Sequence, residues 1–103
     1  MSAAIAELDM MLAAPTRLVA ETRVDFRCAA LDCVGRAGAT GADALTIDLR
    51  GTNDVDASGL GILVLVQKKA RERGLTTQLV GVSERIRGLL RLTKLEGLFE
   101  IVA

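Results

Sequence analysis

The residues best placed for chemistry lie at positions 53–61, a stretch that reads NDVDASGLG. It brings a serine hydroxyl, Ser58, close to two carboxylates, Asp54 and Asp56, directly before an apolar run. At the start of a helix, a serine oxygen can accept a hydrogen bond from a first-turn N–H, a cap worth about 1 kcal/mol. The free N–H groups and the positive end of the helix dipole also favour an added phosphate. Two roles therefore stay open for Ser58: helix cap or phosphate acceptor.

Two other roles for this serine are excluded by the neighbouring residues. A nucleophile elbow needs a glycine two residues before the serine and a histidine base, but position 56 is Asp and the chain has no His. A phosphate-binding loop needs a lysine directly after its glycines, and the next lysine is Lys68. A phosphate on Ser58 itself would add about −1.5 to −2 charges beside the two carboxylates. Such a change of surface charge is how a phosphorylation-controlled binding switch works.

The composition excludes several classes of function. Thirteen basic and thirteen acidic residues cancel, which disfavours nucleic acid and anionic membranes as partners. The absence of His excludes general acid/base triads that depend on His, and it excludes His metal ligands. Asp54 and Asp56 alone supply too few oxygens for a dedicated Mg²⁺ site. We therefore expect no metal, no cofactor and no enzymatic activity.

The length of 103 residues predicts a single domain spanning residues 1–103. Residues 1–14 lack the basic region of a secretory signal, and the longest apolar run, residues 59–66, is less than half of a membrane span. We expect a cytoplasmic protein without membrane insertion. Cys28 and Cys33 are five residues apart in one predicted helix, which excludes a disulfide between them, and both are expected to be buried.

Strands and helices alternate along the predicted chain. Residues 8–12 and 17–19 predict a strand or short hairpin, and a helix carrying Val24, Cys28, Leu31 and Val34 follows and stops at Gly35 and Gly38. Leu45, Ile47 and Leu49 alternate with polar residues, which indicates a strand with one buried face. Residues 51–56 are predicted as a turn. The central helix runs over residues 58–73 and ends at Gly74.

The rest of the chain predicts a strand at residues 76–80, a helix capped by Ser83, and a strand at residues 98–102. This order indicates an α/β fold with a mostly parallel (mixed) sheet of four to five strands. About three helices are expected, mainly on one face of the sheet.

The apolar residues of the central helix point all around its axis, from Leu60 and Ile62 through Val66. Either neighbouring elements cover every side, or the first turns form an apolar patch beside Ser58 for a partner or a second copy of the chain. Gly59 and Gly61 permit close backbone approach, at a cost of roughly 1 kcal/mol each in helix propensity.

Four segments together resemble a STAS domain: residues 46–51, 55–63, 69–75 and 90–101, with the motif Asp-x-Ser-Gly-Leu-Gly at residues 56–61. The family includes bacterial anti-sigma-factor antagonists. In these, the resemblance implies, the serine at the position of Ser58 is phosphorylated by a serine kinase that is also the anti-sigma factor, with ATP bound by the kinase. The unphosphorylated form binds that kinase. The partner-binding residues implied are Asp54, Asp56, Ala57, Gly59, Leu60, Gly61 and Ile62.

This chain departs from the antagonist pattern at two places. Ala57 stands where many antagonists carry a second hydroxyl, and residues 13–19 replace the family's usual Gly-x-Leu-Asp turn. Two other functions therefore stay open. One is a STAS subunit or accessory protein of an ABC-type membrane transporter, with Ser58 as a helix cap; the other is a component of a multi-STAS signalling assembly. A homodimer is compatible with each.

Overall fold

Four parallel strands form the main sheet of the computed structural model, which describes residues 11–102. The strands are β1 (Met11–Ala13), β3 (Ala44–Asp48), β5 (Thr76–Val80) and β6 (Glu100–Val102), and they lie side by side in that order. Every strand pairing within residues 11–102 of this sheet is parallel. The α/β fold class is confirmed, and the described part of the chain has a parallel four-stranded main sheet and three α-helices.

A second, two-stranded sheet positions the motif around Ser58. It joins β2 (Arg17–Leu18) to β4 (Asp54–Val55) in parallel, with Leu18 opposite Val55. The prediction of a turn at residues 51–56 missed β4, because a two-residue strand is too short to show a period. Within residues 11–102, β1 and β2 belong to different sheets, so the alternative of a hairpin is not seen there. Residues 8–10 lie outside the described residues.

Alternation in β3 separates a buried face from an open one. Leu45 and Ile47 are fully buried, as predicted, and pack into the core. On the opposite face, the hydroxyl of Thr46 donates to Gln78 Oε1 at 3.1 Å, and Gln78 Nε2 donates to Glu100 Oε1 at 3.3 Å. Polar side chains therefore join three strands on the face away from the core.

The first helix, α1 (Arg23–Ala39), differs from its prediction in length and in buried face. It continues through Gly35 and Gly38 and ends before Gly41, whose φ of 73° is left-handed, while Ala42 N–H donates back to the Ala37 carbonyl at 3.1 Å. Its buried residues are Phe26, Ala30, Cys33, Val34 and Ala37. The prediction counted only larger apolar residues and so missed the alanines that form this stripe.

The predicted face of α1 was wrong at two positions. Val24 is 61% exposed and Cys28 is exposed, whereas Cys33 is buried as expected. Val24 and Cys28 lie on the solvent side of α1 because the opposite side, which carries Ala30 and Ala37, packs into the core.

The central helix, α2 (Ala57–Glu72), ends as predicted. Gly74 has a φ of 76°, and Leu75 N–H donates to the Ala70 carbonyl at 2.9 Å, which closes the last turn. Among residues 11–102, no helix is long and apolar enough to cross a membrane.

The last helix, α3 (Glu84–Leu92), begins at its predicted cap: Ser83 Oγ accepts from Ile86 N–H at 3.2 Å. A short 3₁₀ turn (Glu96–Leu98) follows, so β6 starts two residues later than predicted.

Candidate functional site

The cap of α2 is Asp56, which corrects the reading of Ser58 as the capping residue. Asp56 has an extended backbone, with φ −102° and ψ −173°, and its Oδ1 accepts from Gly59 N–H at 2.9 Å. Aspartate caps a helix at least as well as serine does, and here it stands two residues earlier. Ala57 and Ser58 are therefore the first and second residues of the helix.

The second carboxylate oxygen of Asp56 reaches another part of the chain. Oδ2 accepts from Ala20 N–H at 3.1 Å, in the turn that follows β2. The N–H groups of Gly59 above all, and then those of Ala20 and Ser58, lower the pKa of Asp56 against a weaker opposing effect of desolvation. One ionised side chain thus connects the start of α2 to the residue 20 turn.

Thr22 stabilises this turn from within. Its Oγ1 accepts from Val19 N–H at 3.0 Å and donates to the Arg17 carbonyl at 2.7 Å. Thr22 N–H also donates to the Val19 carbonyl at 3.0 Å. The Ala20 N–H is consequently presented to Asp56 by an ordered turn directly before α1.

Ser58 lies half-buried in the first turn of α2. Its hydroxyl makes no hydrogen bond with any of residues 11–102. Because Asp56 provides the cap, the Ser58 oxygen is not required for the helix to begin.

Asp54 faces a different set of partners from Asp56. Its carboxylate lies 3.5 Å from Arg17 Nε and 3.9 Å from Arg85 Nη2; both arginine side chains are well exposed, and Asp54 is half-buried. Such exposed ion pairs contribute little to stability, with a median of about 0–1 kcal/mol. The two carboxylates of the motif do not converge on one point, and in the described part of the chain no three His, Cys, Asp or Glu residues are grouped to hold a metal ion.

The two glycines of the motif have opposite surroundings. Gly59 is buried, and a Cβ there would overlap the Leu18 carbonyl oxygen and lie 3.1 Å from Val55 Cγ1. Gly61 is exposed, and a Cβ there would meet nothing within 4 Å among the described residues. Gly59 thus allows α2 to pack on the backbone of β2, whereas packing within residues 11–102 gives no reason for Gly61.

Comparison with known proteins shows the family of this chain. A family model described as "Mlab, STAS domain" matches residues 2–102. The chain belongs to the STAS-domain family. A search of curated proteins finds no match to it.

Two solved structures resemble this STAS domain in fold. A candidate anti-sigma factor antagonist from Thermotoga maritima is 23% identical, with a TM-score of 0.70 over 90% of this chain and 79% of that one. A sulfate transporter family protein from Wolinella succinogenes is 21% identical, with a TM-score of 0.73 over 88% of this chain and 73% of that one. The resemblance to the STAS family predicted from the motif is confirmed.

The predicted site residues of the STAS domain all lie in β4 or near the start of α2, but they differ in how far they are exposed to solvent. Asp56, Ala57 and Gly61 are exposed, Asp54 and Ser58 are half-buried, and Gly59 is buried. Leu60 and Ile62 are half-buried and pack partly against the core. The outward surface at this end of the helix therefore consists mainly of small and polar groups.

The apolar circumference of α2 is mostly covered by the STAS domain itself. Leu63 and Val66 are buried, and Leu60, Ile62, Val64 and Leu65 are each half-buried. The fold supports the reading in which neighbouring elements cover the helix, and the patch beside Ser58 is limited to partly exposed side chains.

Sequence reasoning missed the contributions of Arg17, Ala20, Thr22 and Arg85 to this site. Ala20 contributes through its backbone N–H, so its residue type gives no signal. Arg17 could have been found only by knowing that β2 pairs with β4, which places it opposite Asp54.

Proposed function

We propose that this STAS domain is a non-catalytic regulatory module that docks on a serine kinase with anti-sigma-factor activity and is switched by phosphorylation of Ser58. The observation that carries this proposal is the division of roles at the start of α2. Asp56 caps the helix, which leaves the Ser58 hydroxyl at the surface with no partner among residues 11–102. The likeness in fold to a candidate anti-sigma factor antagonist supports the same assignment.

The chemistry of the switch requires only one group from this chain. The kinase holds ATP; Ser58 Oγ attacks the γ-phosphorus, and a new O–P bond forms as the bond to the β-phosphate oxygen breaks. ADP leaves, and the hydroxyl proton passes to a base on the kinase. The STAS domain is the substrate of this reaction and supplies the acceptor oxygen.

The phosphate acts on binding through charge and bulk. It adds about −1.5 to −2 charges next to the ionised Asp56 and near Asp54. The exposed surface of Ala57 and Gly61 lies on the same first turns of α2. A partner that approaches these small residues closely would meet the phosphate and lose contact, which makes the unphosphorylated form the binding form.

Gly61 supports a docking role for this surface. An exposed glycine inside a helix destabilises it by roughly 0.5–1 kcal/mol relative to alanine, and no packing within the described residues requires it. A partner backbone that approaches the helix at Gly61 would account for the missing side chain.

The test is intact-protein mass spectrometry, with site localisation, on the protein purified from its native host with its phosphate preserved. We expect one phosphate on Ser58, lost in Ser58→Ala and retained in Ser83→Ala. Ser83 is the matched control because it also lies at a helix start but serves as a cap. Absence of phosphate under several growth conditions would contradict the proposal.

A second candidate function is a subunit that docks on the ATPase of an ABC-type transporter. The likeness in fold to a sulfate transporter family protein supports a role in a transporter, and docking at Gly61 needs no phosphate. Neighbouring genes discriminate between the two: a kinase or sigma-factor gene supports the switch, whereas permease and ATPase genes support the transporter subunit.

A further inference from the structure

The carboxylate of Asp56 accepts hydrogen bonds from backbone N–H groups in two separate segments of the chain. It accepts from Gly59 N–H at the start of α2 and from Ala20 N–H in the turn after β2. The neighbouring backbone hydrogen bond between these segments is long: Asp56 N–H donates to the Leu18 carbonyl at 3.4 Å. We call the pair of carboxylate hydrogen bonds the Asp56 clasp.

Resting on the proposed function, we infer that phosphorylation of Ser58 opens the Asp56 clasp and releases the Ala20 N–H, so that the residue 20 turn takes part in the switch. Ser58 lies between Asp56 and Gly59 in sequence, on the first turn of α2. A phosphate dianion at this position is attracted to the same N–H groups of the first turn that the Asp56 carboxylate uses. It also repels that carboxylate directly.

The two hydrogen bonds of the clasp respond unequally to this competition. Gly59 N–H lies at the helix N-terminus, where a phosphate on the adjacent residue can replace Asp56 as acceptor. Ala20 N–H belongs to another segment and has the Asp56 Oδ2 as its acceptor. When the carboxylate is displaced, Ala20 therefore loses its partner while the start of the helix stays satisfied.

The consequence reaches beyond the modified helix. The residue 20 turn, which Thr22 organises, leads directly into α1 at Arg23. The partner would thus distinguish the two forms by the position of this turn as well as by the phosphate charge. The interaction surface predicted from the motif is extended to residues 19–22.

Two variants separate the clasp from other effects of charge. Asp56→Asn retains one carbonyl oxygen for Gly59, since asparagine caps a helix as well as aspartate, but it presents an amide group where Ala20 needs an acceptor. Asp54→Asn removes the same charge from the neighbouring carboxylate, which pairs with Arg17 and Arg85 and not with Ala20. Asp54→Asn is the matched control.

The experiment measures amide hydrogen exchange at Ala20 by NMR in the full chain, with phosphoserine placed at position 58 by genetic code expansion. We expect Ala20 to exchange roughly tenfold faster in the phosphoserine protein and in Asp56→Asn, as loss of a hydrogen bond to a charged group implies. Exchange at Ala20 should be unchanged in Asp54→Asn and in Ser58→Ala.

Equal protection of Ala20 in the phosphoserine protein and the wild type would overturn the clasp, as would acceleration in Asp54→Asn matching that in Asp56→Asn. Because the phosphoserine is installed without a kinase, this measurement is independent of whether the host phosphorylates the protein. Failure of the clasp and failure of the proposed function are therefore distinguishable.

Discussion

Asp54 and Asp56 show how one intervening residue separates two roles for the same side chain. Asp54, in β4, faces Arg17 across the two-stranded sheet and Arg85 of α3, whereas Asp56, just beyond the strand, accepts from backbone N–H groups. The sequence has both carboxylates within four residues of Ser58. It could not decide which of Asp56 and Ser58 begins the helix, because both residue types cap helices well and stand two positions apart.

At the residue scale, the two serines at helix starts should respond differently to truncation. Ser58→Ala should change the free energy of unfolding by less than about 0.5 kcal/mol, the usual range for surface changes that remove no cap or buried contact. Ser83→Ala should destabilise by about 1 kcal/mol, because Ser83 Oγ caps α3. Urea denaturation of both variants measures the difference, and an equal loss for the two would show that Ser58 also supports its helix.

A second prediction at this scale concerns acid stability. The pKa of Asp56 is lowered by backbone N–H groups, and that of Asp48 by its hydrogen bonds with Arg50. A carboxylate with a lowered folded-state pKa stabilises the fold above its unfolded value of about 3.9, and that contribution is lost as the pH falls through the folded value. Stability should therefore decline below about pH 4.

Asp56→Asn and Asp48→Asn should each flatten this acid decline, since each removes a carboxylate that must otherwise be protonated. The measurement is the midpoint of thermal unfolding between pH 7 and pH 3. Profiles parallel to that of the wild type would show that other carboxyl groups govern the acid transition.

At the scale of elements, the predictable features were those with strong local chemistry. Gly74 ended α2 and Ser83 began α3 as expected, because a left-handed glycine and a capping serine act through neighbouring backbone. The buried face of α1 was missed because it depends on Ala30 and Ala37, whose burial is decided by the close packing of α1 on α2. Such packing is a property of the tertiary structure.

Gly59 and Gly61 provide an element-scale prediction with its own control. Gly59→Ala should lower the free energy of unfolding by about 1–3 kcal/mol or more, because the new Cβ would force α2 away from the backbone of β2. Gly61→Ala should stabilise it by roughly 0.5–1 kcal/mol, since the methyl group enters open space and favours the helix. Chemical denaturation compares the two.

Partner binding adds a second readout for Gly61. If its surface is used for docking, Gly61→Ala should bind the partner more weakly despite its greater stability. Unchanged affinity in this stabilised variant would remove Gly61 from the interface.

At the scale of the whole molecule, the sequence predicted the parallel α/β architecture well because the alternation of strands and helices restricts the topology. The two-stranded β2–β4 sheet was outside its reach, since the pairing of Leu18 with Val55 joins segments far apart in the chain and leaves no local pattern. This small sheet is what brings the residue 20 turn to the motif.

The switch as a whole predicts an order of affinities for the kinase. Wild type and Ser58→Ala should bind alike, whereas Ser58→Asp should bind more weakly because it imitates part of the phosphate charge. Titration calorimetry with the purified partner gives the three values. Equal affinity for all three proteins would contradict the switch and favour the transporter subunit.

The parallel pairing of β1 with β3 also has a consequence for how the chain acquires its fold. Met11 lies opposite Thr46, with the whole of α1 between them. Among residues 11–102, β1 pairs with β3 alone, so this pairing must wait during synthesis until β3 emerges, and β5 must follow before β3 is enclosed on both sides. Non-local pairings of this kind slow folding and leave strand edges open meanwhile. We therefore expect the chain to be most prone to aggregation while only its amino-terminal half has been synthesised.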